Sequence, residues 1–169
     1  MARRVAAISF DALPGEVVGR AKLLVLDQLG VQLLGARLPH VQAVRQLAAR
    51  SGGRSEATAV DSSELVSASQ AAWVNGTLGH SAAFDDAHLA AWHTSSAVVP
   101  AVIALAERED RTGAELLAAV VAGVQVMGVL GTVAGNRDHR ARPARRHPRR
   151  SDRLASLRRD HSRRPETGT

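Results

Sequence analysis

The sequence predicts a mostly α-helical protein, on three observations. Apolar residues recur at three- and four-residue spacing over long stretches. Capping residues and glycines punctuate the ends of those stretches. The apolar fraction, 45% of residues, is carried by Ala, Leu and Val, with two Phe, two Trp and no Tyr. Such a composition suits close-packed helices better than an aromatic-rich β-sandwich.

The elements follow in order. Pro14 opens a first helix at the N1 position, where its missing N–H costs nothing. Val17, Val18, Ala21, Leu24, Val25, Leu29 and Leu33 give it an apolar face, and Gly35 is its expected stop. His40 to Arg50 repeats the pattern with Val41, Val44, Leu47 and Ala48, and Ser51-Gly52-Gly53 ends it. Glu56 to Val60 alternates and reads as an isolated extended segment. Ser63 or Asp61 caps a third helix through Val66, Ala68, Ala71, Ala72, Val74 and Leu78, carrying His80. Ser95 or Ser96 caps a fourth through Val98, Val99, Ile103 and Leu105, with Pro100 tolerable only in its first turn. Thr112-Gly113-Ala114-Glu115 is a capping box. The helix it opens runs through Leu116, Leu117, Val120, Val121, Val124 and Met127, and is expected to end near Gly131.

The net charge of +6 is unevenly spread. Residues 1–136 carry ten basic and twelve acidic side chains, whereas residues 137–169 carry twelve Arg and four acids. The two stretches are therefore expected to be unlike: a helical domain fragment over 1–136, and an Arg-rich tail over 137–169. The tail's only aliphatics are Ala141, Ala144, Leu154, Ala155 and Leu157. That is too little apolar surface to offset chain entropy, and disorder is expected. The absence of cysteine excludes disulfides, thiolate zinc sites and cysteine nucleophiles. The basic N-terminus has too short an apolar run for a signal peptide. No stretch is read as reaching the ~20 apolar residues of a membrane span. A cytoplasmic protein without membrane contact is the expectation.

Chemistry concentrates between His80 and His93, where fourteen residues hold two adjacent carboxylates, Asp85 and Asp86, and three imidazoles, His80, His88 and His93. Side chains that move protons or hold polar substrates are seldom so dense by chance. His93 is the first candidate for a general acid/base or a carboxylate-binding imidazole. The blander reading makes it a loop histidine that caps the next helix or bonds a carbonyl. Asp85 and Asp86 are neighbours, so their side chains diverge, one toward a site and the other toward capping a backbone turn. His88 is close enough in sequence to be held by Asp86, and His80 is expected to pack or hydrogen-bond beneath the loop. These are metal-ligand types as well. The five-residue step from His88 to His93 is not a helical ligand pair, and no His-Glu-x-x-His occurs, so no metal is assigned. Gly128 to Gly135 is Gly-rich, but without a preceding strand or a following Lys it reads as a helix end, not a phosphate loop.

Several of these pieces together resemble the MmgE/PrpD family. They are Leu13-Pro14-Gly15-Glu16-Val17-Val18, Leu26-Asp27-Gln28-Leu29-Gly30 and Trp73-Val74-Asn75-Gly76-Thr77 with His80. Then come Phe84-Asp85-Asp86 with His88, His93 with Ser95-Ser96-Ala97-Val98-Val99-Pro100, and Thr112-Gly113-Ala114-Glu115-Leu116-Leu117. The resemblance runs from about Leu13 to Gly131 and is expected to stop after Asn136. It implies the N-terminal part of a large all-helical domain, in enzymes that usually dimerise and carry a second, lid domain. It implies chemistry without a cofactor: a base removes a proton α to a carboxylate of a small polycarboxylate, as in 2-methylcitrate dehydratase. By resemblance the catalytic candidates are His93, Asp85, Asp86 and His88.

The chain departs from the family pattern in three places. Ala83 stands where many members have an acid before the Phe, Ala87 where many have Thr, and Thr94 where Pro usually follows the active-site His. Lys22 is the sole lysine. The expectation is therefore a truncated lyase-type protein with little or no activity as this chain. The competing class is a helical interaction protein with a nucleic-acid-binding tail. Twelve Arg without lysine or stacking aromatics make nucleic acid the less favoured partner. A GC-rich frame misread by one base also yields runs of Arg, because shifted CGN codons become GNC codons for Ala, Gly, Val or Asp. Frameshift or truncation is thus a hypothesis that the downstream nucleotide sequence decides; it fails if no shifted frame restores a family-like continuation.

Overall fold

The computed structural model describes residues 2–134. The Arg-rich stretch 137–169, and the disorder expected of it, lie outside the described residues. Within them the chain forms α1 (Ala2–Ala6), α2 (Gly15–Gly35), α3 (Gln42–Arg50), α4 (Ala68–Ser81), α5 (Ser95–Arg108) and α6 (Gly113–Ala134). Short 3₁₀ turns occur at Phe10–Ala12 and Pro39–Val41. Two-residue strands β1 (Ala57–Thr58) and β2 (Leu65–Val66) complete the set. The fold is mostly α, as the periodicity predicts.

The start of α4 corrects the sequence reading. Leu65–Val66 does not begin the third helix; it pairs antiparallel with Ala57–Thr58, Ala57 opposite Val66 and Thr58 opposite Leu65. The extended segment at 57–58 is therefore not isolated. Ser67, rather than Ser63 or Asp61, caps α4 in a full capping box with Gln70. Gln70 also donates to the carbonyls of Ala48 (3.2 Å) and Gly52 (2.8 Å), tying the end of α3 to the start of α4. The predicted capping box at α6 forms: the Thr112 amide donates to Glu115 Oε2 at 2.9 Å and the Glu115 amide to Thr112 Oγ1 at 3.3 Å. The Thr112 amide and then its hydroxyl, which also donates to Glu115 Oε2 at 2.9 Å, hold the Glu115 carboxyl below its ordinary pKa.

α4 is the central helix, packed against α5, α2 and α3. Its buried residues Ala71, Val74 and Leu78 join Ala36, Val41, Ala48, Ala57, Ala59, Ala68 and Ala104 in two clusters of mostly small side chains. Close approach explains the small residues. Pro100 lies in the second turn of α5, beyond the first-turn limit the sequence suggested, and offers no N–H to the Ser96 carbonyl. That carbonyl faces Gly76 on α4, where an added Cβ would lie 2.9 Å from it.

α2 turns its expected face inward at Val17, Val18, Ala21, Leu24 and Val25 and departs from it at Leu29 and Leu33. Ala21, Gln28, Val31, Gln32 and Gly35 are inside, while Leu29 is on the exposed side and Leu33 is 60% exposed. Strict 3.6-residue spacing passes through Gln28 and Gln32; following hydrophobicity alone skips them. Leu23 and Leu26, 64% and 67% exposed, extend the outward leucine ridge.

α6 overturns the expectation about apolar length. Within its 22 residues an 18-residue window reaches a mean hydropathy of 2.1 with only 11% of that window buried, so by length and composition it could cross a membrane. Glu115, near its start, is its one charged residue. The Gly-rich stretch is interior to this helix, which continues past Gly131 to Ala134.

Asn75 fastens the β-turn segment to α4. Its Oδ1 accepts from the Val60 amide at 2.8 Å and its Nδ2 donates to the Thr58 carbonyl at 2.9 Å, with the residue 4% exposed. Asn75→Ala is expected to destabilise the fold by about 1–3 kcal/mol by stranding that amide and carbonyl. Urea denaturation checks this; a loss inside about 0.5 kcal/mol, the range of an ordinary surface change, would show the segment is held by other means.

Candidate active site

The loop between α4 and α5 delivers the titratable side chains, and its two carboxylates separate as adjacent residues must. Asp85 points inward, with none of its side-chain surface exposed. Its oxygens lie 3.1 and 3.0 Å from His80 Nδ1. His93 Nδ1 lies 3.3 Å from Asp85 Oδ1, off the line of a hydrogen bond. The two imidazole rings are tilted by 58° to one another with centroids 4.6 Å apart. A carboxylate can only accept, so His80 Nδ1 is the donor of this pair. The same orienting logic serves Asp–His pairs in acid/base catalysis. His80 stands on the last turn of α4 with 53% of its side chain exposed, and His93 is 35% exposed.

Asp86 turns the other way and starts α5. It accepts from Thr94 Oγ1 at 2.6 Å and from the Ser95 amide at 2.7 Å. Thr94, not Ser95 or Ser96, is the N-cap residue, and its side chain makes no cap bond. The first free amide of the helix is satisfied by a side chain nine residues upstream, a long-range form of capping. Burial raises the Asp86 pKa, but the hydrogen bonds from Ser95 and Thr94 outweigh it and hold the carboxyl below its ordinary 3.8. The Ser95 hydroxyl donates in turn to Gln28 Oε1 at 2.8 Å. Gln28 is fully buried across Gly79, where any Cβ would collide with its amide. Asp86, α5 and α2 are thus joined through one polar line.

His88 is not held by Asp86. Its Nδ1 accepts from the Ala90 and Ala91 amides at 3.1 and 3.2 Å, a role that places the ring proton on Nε2. Its backbone pairs with Trp92 in both directions, at 2.7 and 2.8 Å. This small turn leans on α6, where Gly131 leaves room for the Ala90 carbonyl and the His88 ring lies over Gly128. Ala83 and Trp92, at either end of the loop, have φ of 54° and 56°, the left-handed region that non-glycine residues seldom occupy. Phe84 and Trp92 are exposed at the rim. Beside His80 an open groove of about 580 Å³ runs between α4 and α5, lined by Trp73, Thr77, Ser96 and Ala97.

The structure therefore brings His80, Asp85 and His93 together, and sends Asp86 and His88 to structural bonds. Gln28 and Asn75 went unnoticed as organising residues. Their signal was their place in the family motifs and, physically, their standing as polar residues on the buried side of a helical repeat. Among the described residues, the Arg side chains with ion pairs meet Glu16, Glu56, Asp61, Glu109 and Glu115, and none meets this cluster.

Residues 1–147 match the MmgE/PrpD N-terminal domain. The chain belongs to the MmgE/PrpD family. The family match extends beyond the Leu13–Gly131 span and past Asn136, where the pattern was expected to stop, into the Arg-rich stretch. Human cis-aconitate decarboxylase is 33% identical over 141 residues, covering 80% of this chain and 29% of that protein. The mouse cis-aconitate decarboxylase is 30% identical over 146 residues, covering 83% and 30%. This MmgE/PrpD chain thus spans about three tenths of the length of the curated relatives it matches.

Asp86 generates a pH prediction. A carboxyl whose folded pKa is depressed contributes stability that is complete above its unfolded pKa and is lost as pH falls through the folded value. The melting-temperature gap between the natural chain and Asp86→Asn is expected to be constant above about pH 5 and to close below about pH 4. A gap that stays constant down to pH 2 would separate the Asp86 bonds from its charge.

Proposed function

We propose that this chain carries one wall of a lyase or isomerase site for a small polycarboxylate, working without a cofactor, in the manner of 2-methylcitrate dehydratase or the cis-aconitate decarboxylases it resembles. The carrying observation is the enclosed Asp85 carboxylate between His80 and His93. Such a group orients the His80 imidazole and lies beside His93, which serves as the acid/base for proton transfer at a carbon α to a carboxylate. Asp86 shapes the wall by fixing α5, and His88 by fixing the turn against α6. The reading extends to a cytoplasmic homodimer without membrane or nucleic-acid contact; the outward leucines of α2 support association, since such ridges usually meet a partner.

The same geometry supports little or no turnover by this chain alone. A polycarboxylate in a proton-transfer site needs cations or aligned donors for its carboxylates and for the charge that develops. Among the described residues no Arg or Lys is ion-paired with the cluster. Ala83 and Ala87 place methyl groups where the family resemblance implies polar side chains.

The test is titration of the chain with cis-aconitate and with 2-methylcitrate, followed by the imidazole proton resonances and by product formation. The expected result is a saturable shift of the His93 and His80 signals at millimolar ligand, abolished by His93→Ala, with no enzyme-like turnover. Turnover at a median enzyme rate of about 10 per second would overturn the inactivity. Absence of any shift with either acid would overturn the polycarboxylate reading.

A further inference from the structure

We propose that the groove between α4 and α5 beside His80 is a subsite for an apolar arm of the substrate, an alkyl chain longer than methyl or a phenyl ring. The inference rests on the polycarboxylate reading of the neighbouring cluster and narrows it: the acid that fits carries a hydrocarbon substituent. His80 belongs to both places. It lines the groove while its Nδ1 donates to Asp85, and its ring lies 4.6 Å from that of His93. An acid held at His93 therefore has its substituents within a few bond lengths of the groove. The groove holds about 580 Å³. Small-molecule sites span roughly 300–1,000 Å³, so a methyl group alone would leave most of it to water.

The walls decide what can enter. Ala72, Trp73, Gly76, Ala97 and Ala101 supply hydrocarbon and one aromatic face, with Trp73 47% exposed. The three hydroxyls that line the groove have spent their protons on the backbone. Thr77 Oγ1 donates to the Trp73 carbonyl at 2.9 Å, Ser81 Oγ to the Thr77 carbonyl, and Ser96 Oγ to the His93 carbonyl at 3.3 Å. Among the described residues that line it there is no Arg or Lys. A carboxylate only accepts, so here it would lose water and gain neither a free hydroxyl donor nor a fixed positive charge. A hydrocarbon arm loses nothing by leaving water, and the Trp73 ring gives it a large flat partner. The acid groups are thereby directed to the His80 and His93 end and the apolar arm along the helices.

The experiment titrates the full chain with succinate, methylsuccinate, butylsuccinate and phenylsuccinate. The imidazole resonances of His80 and His93 read the acid end. The Trp73 indole N–H resonance reads the groove, assigned among the chain's two tryptophans with Trp92→Phe. The dissociation constant is expected to fall about twofold to fourfold per added methylene, the scale of burying a CH₂ group. The Trp73 signal should move with butylsuccinate and phenylsuccinate and stay still with succinate. Ala97→Leu and Ala101→Leu, both at exposed positions on α5, should each fill the groove and collapse the ratio between butylsuccinate and succinate affinity. Circular dichroism checks that each variant folds. Equal affinity across the series, with the imidazole shifts intact, would overturn the subsite and leave the polycarboxylate reading standing. A ratio preserved in both leucine variants would also overturn it, by sending the arm elsewhere. So would a change of oligomeric state in those variants, which would give the groove to a second copy of the chain. Imidazoles that respond to none of the four acids would overturn the polycarboxylate reading and this inference with it.

Discussion

A carboxylate with no exposed side-chain surface has to find its compensation inside the fold, and Asp85 is such a group. Leaving it unpaired would cost several kcal/mol, by the usual scale for a buried ion. The His80 imidazole meets that demand, and in doing so it fastens the loop after α4 to the end of the helix before it. The loop cannot swing without separating charge from partner in a medium of low polarity. The rest of the site inherits its position from this contact. Once Asp85 faces inward, Asp86 must face the other way, and that orientation is what lets it receive the first amide of α5.

The line from Asp86 through Ser95 to Gln28 carries the same constraint into the helix layer. Helices α2, α4 and α5 meet through small residues and a few buried amides rather than through large aliphatic side chains. Dispersion contacts between small residues are individually weak, so close approach matters more than side-chain size. Gly79 admits Gln28, and Gly76 admits the carbonyl that Pro100 leaves without its usual donor. Register between these helices is set by polar and steric matches at single positions, which explains how a core with hardly any aromatic residue specifies one arrangement.

Much of this was legible beforehand, and the failures share a cause. Helix type, the capping box at Thr112 and the divergence of Asp85 from Asp86 follow from local chemistry and can be read along the chain. The α2 face was misread at Leu29 and Leu33 because hydrophobicity was followed where geometry placed Gln28 and Gln32 inside. The cap of α5 was sought at Ser95 or Ser96, yet it comes from Asp86, across a loop whose path no local rule gives. His88 was paired with Asp86 on proximity in sequence, whereas a tight turn gave its ring two nearer amides. The convergence of His80 with His93 depends on that same loop path. It was foreshadowed only by density of titratable residues and by family resemblance.

The left-handed backbone at Ala83 bears on how this site can change over generations. A methyl side chain is an uncomfortable tenant of that conformation, which costs an L-residue roughly 1–2 kcal/mol, while Asn, Asp and Gly occupy it more readily. Drift under pressure for stability alone would therefore favour these three residues at position 83. One of them is an acid, the residue type that the family pattern shows directly before the Phe. The backbone thus admits a carboxylate at the lip of the site as readily as it admits asparagine, whether or not any chemistry selects for it.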